Sequence, residues 1–246
     1  MTKKGILWLG MLCLSTCLTA CTSVSQAETS ENIEEAVEKQ AEISADETKP
    51  ELSAERKEQA EDTTRVLIAY FSRMGNTEYS DSVDATSSAS IVENEMGQYG
   101  TTEYMAEQIR EITGGEVYLI ETQDPYSEAF DQVVSQNHEE MEAGTLPALK
   151  DKYLDMTEYD VIFIGYPIWA TDAPMAIHSF LNSYNFEGKT IIPFCTHDGY
   201  GAGGSYTTIA NLAPDAQVLE GLAVESGDVL HTQEQVKEWI DGLEIM

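Results

Sequence analysis

Basic side chains are scarce in this chain of 246 residues: 13 Lys and Arg stand against 44 Asp and Glu, a formal net charge of −31. Nucleic acids and anionic lipid headgroups are held by Lys/Arg surfaces, so neither is expected as a main partner. Cysteine is scarce as well. Three of the four (Cys13, Cys17, Cys21) fall in the first 21 residues and only Cys195 lies beyond, which excludes an intrachain disulfide framework in the body. No apolar run reaches the roughly 20 residues that span a bilayer comfortably; the run from Gly5 to about Leu18 is too short. There is no Gly-x-Ser-x-Gly elbow, and no spacing of Cys, His and carboxylates makes a metal site. What is present excludes a wholly disordered chain: a hydrophobic fraction of 42%, with 17 Gly and 7 Pro.

Lys3 and Lys4 precede the short apolar run, the arrangement of an export signal. The run ends in Leu18-Thr19-Ala20-Cys21, which resembles the lipobox of bacterial lipoproteins. That resemblance implies a signal peptide at 1–20, acylation of Cys21 through its sulfur, and an extracytoplasmic protein that touches the membrane only through its lipid. Residues 22–64 hold 13 acidic and 4 basic side chains and no Phe, Tyr, Trp or Gly. So little apolar surface cannot offset ordering entropy, and residues 21–64 are expected to form an acidic disordered tether. Residues 65–246 keep 31 acidic and 7 basic side chains, a net −24.

The apolar runs 66–71, 117–120, 161–166, 191–195 and 218–222 are short, nearly continuous and rich in β-branched and aromatic residues. Strands buried on both faces of a parallel sheet read this way. Helical patterns lie between them, at 102–112, 126–141, 174–184, 205–212 and 232–243. Five βα units predict a three-layer α/β sandwich. Residues 78–98 interrupt the pattern between the first strand's loop and its helix, either as a surface insertion or as a contributor to a site. Residues 89–92 suggest a short extra strand there.

Ligands of open α/β sheets bind beyond the carboxyl ends of the strands, where the strand order reverses. The loop after the first strand, Ser72-Arg73-Met74-Gly75-Asn76-Thr77, offers hydroxyls at both ends, a turning glycine and a run of N–H groups. These are the parts of a phosphate cradle that needs no lysine, and equally of a plain polar turn. Gly199, Gly201 and Gly204 match G-x-G-x-x-G, but on the fourth strand rather than the first, which argues against a dinucleotide site. Cys195, closing an apolar strand, reads as an inert buried thiol. His178 and His231 read as structural, and His138 as part of an acidic helix face.

The stretch 66–77, VLIAYFSRMGNT, resembles the first strand and phosphate loop of the flavodoxin family. Residues 159–171, YDVIFIGYPIWAT, and 192–205, IPFCTHDGYGAGGS, resemble that family's loops around the isoalloxazine ring. The resemblance implies a flavodoxin-like sandwich whose five-stranded parallel sheet runs 2-1-3-4-5, with helices on both faces, and FMN as cofactor. Ser72, Met74, Gly75, Asn76 and Thr77 would hold the phosphate, a role passing partly to Thr101 and Thr102 because of the insertion. Trp169 would stack on the ring beside Pro167, Ile168 and Ala170. Thr196, His197, Asp198, Gly199, Tyr200, Gly203 and Gly204 would close its other edge, with Tyr200 as a candidate second aromatic cover.

The implied function is a lipid-anchored, FMN-binding electron-transfer protein with a basic redox partner. Surrounding negative charge would disfavour a negatively charged reduced ring and so lower its potential. The alternatives are an NAD(P)H:quinone or azo-type reductase on the same fold, or a binding module without flavin.

Overall fold

The computed structural model describes residues 64–79, 90–95, 97–150 and 153–245. The expected signal peptide at 1–20, its lipidation site Cys21, the tether up to residue 63 and most of the interrupting segment lie outside the described residues.

Among the described residues, five parallel strand positions and five α-helices alternate. The strands β1 (Val66–Tyr70), β4 (Glu116–Leu119), β5 (Val161–Pro167), β6 (Thr190–His197) and the pair β7 (Gln217–Val218) and β8 (Leu222–Glu225) form one sheet. Its order is β4-β1-β5-β6-β7, with β8 also on β6, and its strands pair in parallel. Counted by βα unit, this is the expected order 2-1-3-4-5.

Side chains alternate across β1. Leu67, Ala69 and Phe71 join the core beneath α2 (Phe130–Ala143), α3 (Met175–Ser183) and α4 (Ser205–Leu212). Val66, Ile68 and Tyr70 join the core beneath α1 (Thr101–Thr113) and α5 (Gln233–Gly242). Both faces of the central strands are therefore covered, which is why their sequences are apolar throughout.

The fifth strand departs from its sequence pattern. Residues 218–222 read as one strand but divide into β7 and β8, so the sheet has six strands rather than five. Ile191 pairs with Val218 and Phe194 with Leu222, so one extra residue bulges opposite Ile192 and Pro193. The Leu219 N–H donates to the Ile191 carbonyl at 2.9 Å, which turns the odd-numbered backbone groups of β6 toward this edge. Pro193 has no N–H to offer there, and the ladder breaks beside it.

The interrupting segment ends in a hairpin apart from the main sheet, β2 (Ile91–Asn94) antiparallel to β3 (Gly97–Gly100). The chain passes from β3 directly into α1 at Thr101, the helix start expected from the sequence. The Glu103 carboxylate accepts from the Gly100 N–H at 2.9 Å and satisfies one donor of that first turn. The reversal of strand order falls between β1 and β5, where the loops bearing Ser72–Thr77 and Trp169 meet.

Candidate functional site

The loop after β1 is held mainly through one side chain, that of Asn76. Asn76 is buried; its Nδ2 donates to the Ser72 and Ile120 carbonyls, both at 2.9 Å. Its Oδ1 accepts from the Thr122 N–H at 2.8 Å and the Thr122 hydroxyl at 3.2 Å. Its own N–H donates to the Arg73 carbonyl at 2.9 Å. Asn76, one of the residues expected to hold the phosphate, thus uses its side chain to tie this loop to the end of β4.

Ser72 is buried against the start of α1. A Cβ on Gly100 would lie 2.0 Å from the Ser72 hydroxyl, so only glycine lets β3 and α1 close over this loop. Thr101 and Thr102 are buried too, and their hydroxyls meet the Thr196 hydroxyl at 3.2 and 3.1 Å. They join α1 to the end of β6 rather than standing open. Gly75 is exposed and Met74 half-buried on the rim of the loop. The Thr77 and Tyr79 hydroxyls lie buried together without a well-formed hydrogen bond.

The loop after β5 is built differently. Trp169 packs edge-on against Phe71 (5.4 Å between ring centroids, 89° between planes) and Tyr126 (5.1 Å, 82°). Tyr126 is fixed in turn: its N–H donates to the Asn76 carbonyl at 2.7 Å and its hydroxyl to Glu140 at 3.2 Å. Burial and the neighbouring Glu140 carboxylate raise the Tyr126 pKa, so the phenol stays neutral and donating.

Residues 169–172 form a tight turn with reciprocal N–H to carbonyl bonds of 2.9 and 3.0 Å between Trp169 and Asp172. Its central residues, Ala170 and Thr171, have φ of 47° and 69°, a left-handed conformation that costs a β-branched residue about 1 kcal/mol or more. The conformation is held from outside. The Gly204 N–H donates to the Thr171 carbonyl at 2.9 Å, and a Cβ on Gly203 would sit 2.0 Å from that same oxygen. Asp172 accepts from the Thr208 hydroxyl at 2.8 Å, which braces the turn on α4. The glycine run 199–204 therefore lets the third loop approach the second closely.

Between these loops lies a cavity of about 320 Å³. Its walls include Pro167, Ile168, Trp169 and Ala170 after β5 and Thr196, His197 and Asp198 after β6, all expected ring-side residues. Tyr200 is 82% exposed and does not line it, nor do Gly199, Gly203 and Gly204. Ser72, Met74, Gly75, Asn76, Thr77, Thr101 and Thr102 likewise lie outside its walls.

Several lining residues lie outside the sequence motifs. Phe130, Val133, Val134, Asn137 and His138 form a wall from α2, and Arg73, Ser90 and Ser226 complete the cavity. The helical spacing of Phe130, Val134 and His138 was visible, but not that this face looks onto the site rather than a core. Asn137 is buried and its Oδ1 has no hydrogen-bond partner, an uncompensated acceptor on a cavity-lining residue. Cys195 lies behind the site. Burial pushes its thiol up to about 12, which leaves it protonated and unreactive at neutral pH.

A family model described as Flavodoxin matches residues 90–243. This chain belongs to the flavodoxin family. The match begins beyond β1 and its loop, after most of the interrupting segment. Among solved structures, a flavoprotein from Bacteroides eggerthii is 30% identical, over 73% of this chain and 97% of that one, with a TM-score of 0.56. A flavoprotein from Bacteroides uniformis is 28% identical over 72% and 98%, also at 0.56. A flavoprotein from Lactobacillus acidophilus, solved in complex with FMN, is 19% identical over 68% and 96%, at 0.46. No curated protein matches the chain.

Proposed function

We propose that this flavodoxin-family chain binds FMN non-covalently where the loops after β1, β5 and β6 converge, and passes electrons between other proteins. The observation that carries the reading is the cavity walled by Trp169 and both ring loops, beside a glycine-closed loop of buried hydroxyls. Its volume of about 320 Å³ lies at the low end of ligand pockets and suits the planar part of a flavin, with the phosphate held outside it. The unsatisfied Asn137 Oδ1 on its wall fits a bound group that brings a donor of its own. The residues present thus fit the cofactor.

Trp169, Ile168, Pro167 and Ala170 would hold the ring, with Thr196, His197 and Asp198 at its edge. The phosphate would rest on the Ser72–Thr77 loop and the start of α1. Asn76 shapes that loop from within, because its side chain is already committed. Bound FMN supplies reversible electron uptake; the protein supplies orientation and local charge.

The net −24 of residues 65–246 favours a basic partner, whose approach is speeded by opposite charge and screened within about 8–10 Å at physiological salt. Reduction of the FMN-loaded protein by a basic flavoprotein reductase is expected to slow steeply as salt rises, with negligible direct oxidation of NAD(P)H. Rapid NAD(P)H turnover without a reductase would overturn the carrier reading. One observation favours a reductase instead: the α2 wall adds apolar surface to the cavity, with Phe130 60% exposed, where a small aromatic acceptor could lie.

The lipobox supports anchoring outside the cytoplasmic membrane through Cys21. Cys21→Ser, which cannot form the thioether, is expected to release the protein from membranes or leave its signal uncleaved. Unchanged processing and membrane association would rule the anchor out.

A further inference from the structure

We propose that Arg73 is a redox-tuning residue, a buried cation in the cavity wall that favours the reduced flavin and raises its midpoint potential. The inference rests on the FMN reading above and runs against the expectation from net charge alone.

Arg73 is 3% exposed. One of its terminal nitrogens donates to the Ser127 and Glu128 carbonyls at 3.1 and 3.2 Å, and its guanidinium lies 5.5 Å from the Tyr79 ring centroid. Its Nε is buried with no hydrogen-bond partner. Arg65, Arg110, Lys150 and Lys237 pair with carboxylates at the surface. Among the described residues, Arg73 is held by carbonyl oxygens and a ring face, which orient a guanidinium without neutralising it. Burying charge in this way is costly unless an anion compensates it.

The compensating charge is best placed in the cavity that Arg73 shares with Trp169, Ile168, Ala170 and Thr196. Two electrons from the reductant and one proton from solvent would leave a bound flavin ring with one negative charge at neutral pH. A cation in a low-dielectric wall stabilises that charge far more than the same cation in water. The other titratable groups lining the cavity are His138, His197 and Asp198. Asp198 and His138 are exposed and His197 half-buried, so water screens Asp198, the lining carboxylate, while Arg73 is shielded. Among the described residues Glu140 is the one buried carboxylate; it does not line the cavity and already accepts from the Tyr126 hydroxyl and the Gln136 amide, while the other acidic side chains are open to solvent and salt. Locality decides the balance in favour of Arg73.

The test is the midpoint potential of the full-length FMN-loaded protein, titrated with dithionite against a reference dye. Arg73→Gln is expected to cut affinity for reduced relative to oxidised FMN about ten-fold or more, a shift of about 30 mV or more to negative values. Arg73→Lys keeps the charge and is expected to stay near wild type, a rescue that a purely structural role would not give. The wild-type midpoint should also stay nearly constant across a salt series, which needs no variant. An unchanged midpoint in Arg73→Gln overturns the proposal, as does a wild-type midpoint that climbs strongly with salt. A lower FMN-to-riboflavin affinity ratio in Arg73→Gln, at unchanged midpoint, would assign Arg73 to the phosphate and overturn it too. Failure of the wild-type protein to take up flavin would instead overturn the FMN reading itself.

Discussion

The loops after β1 and β5 meet at one site but are made in opposite ways. In the first, polar side chains turn inward: Asn76 spends both ends of its amide on Ser72, Ile120 and Thr122, and the Thr101 and Thr102 hydroxyls close on Thr196. In the second, the chain is strained at Ala170 and Thr171, and Trp169 keeps part of its surface on the cavity. The contrast separates two kinds of recognition. A phosphate can be held by backbone N–H groups whose positions are fixed by side chains facing away from it. A flat aromatic ring has to be met by side-chain surface, so the ring loop keeps its side chains available and is braced by its neighbours.

Removing the inward-facing amide should have the largest effect. Asn76→Ala strands the Ser72 and Ile120 carbonyls and the Thr122 N–H, at roughly 1–3 kcal/mol for each buried group left unmet. A stability loss of about 3 kcal/mol or more is expected in urea unfolding, with flavin binding lost alongside. A loss below about 1 kcal/mol would show that the loop does not depend on Asn76.

Gly203→Ala attacks the brace instead. Its Cβ would collide with the Thr171 carbonyl at 2.0 Å, and its φ of +57° is itself unfavourable for alanine. A cost of roughly 1–3 kcal/mol is expected, with a weaker site for FMN and riboflavin alike. Wild-type stability in this variant would mean that the two ring loops are not held together through that contact.

Trp169→Ala should change binding more than folding. Stacking contributes about 0.5–1.5 kcal/mol beyond buried area, so a ten-fold or larger rise in the FMN dissociation constant is expected, with altered flavin fluorescence. Thr171→Gly is the smallest change and of opposite sign: relief of the left-handed strain should stabilise the protein by about 0.5–1 kcal/mol, read as a small rise in Tm.

The same contrast explains what was legible in the sequence. The βα alternation and the order of units could be read because strands buried on both faces are apolar at every position, as 66–70 and 161–166 are. Trp169 and its neighbours could be placed because the side chains themselves carry the signal. The inward role of Asn76 was not legible: an amide that binds a ligand and one that binds a loop occupy the same position in the motif. The division of the fifth strand followed from Pro193 on the neighbouring strand, a cross-strand effect absent from the local pattern of 218–222. The α2 wall was missed because helical spacing identifies a face without identifying what that face meets. The role of Arg73 was not legible because an arginine in a polar loop gives no local sign that it is buried.

The most direct test of the account is a pair of titrations, FMN and riboflavin, against the wild-type protein and Trp169→Ala, followed by flavin fluorescence. If the backbone cradle and the ring wall are separate parts of one site, wild type binds FMN much more tightly than riboflavin, since only FMN brings the phosphate. Trp169→Ala then weakens both flavins by a similar factor and leaves their ratio nearly unchanged. Equal wild-type affinities for the two flavins, or a variant that loses the preference for FMN along with the ring contact, would contradict it.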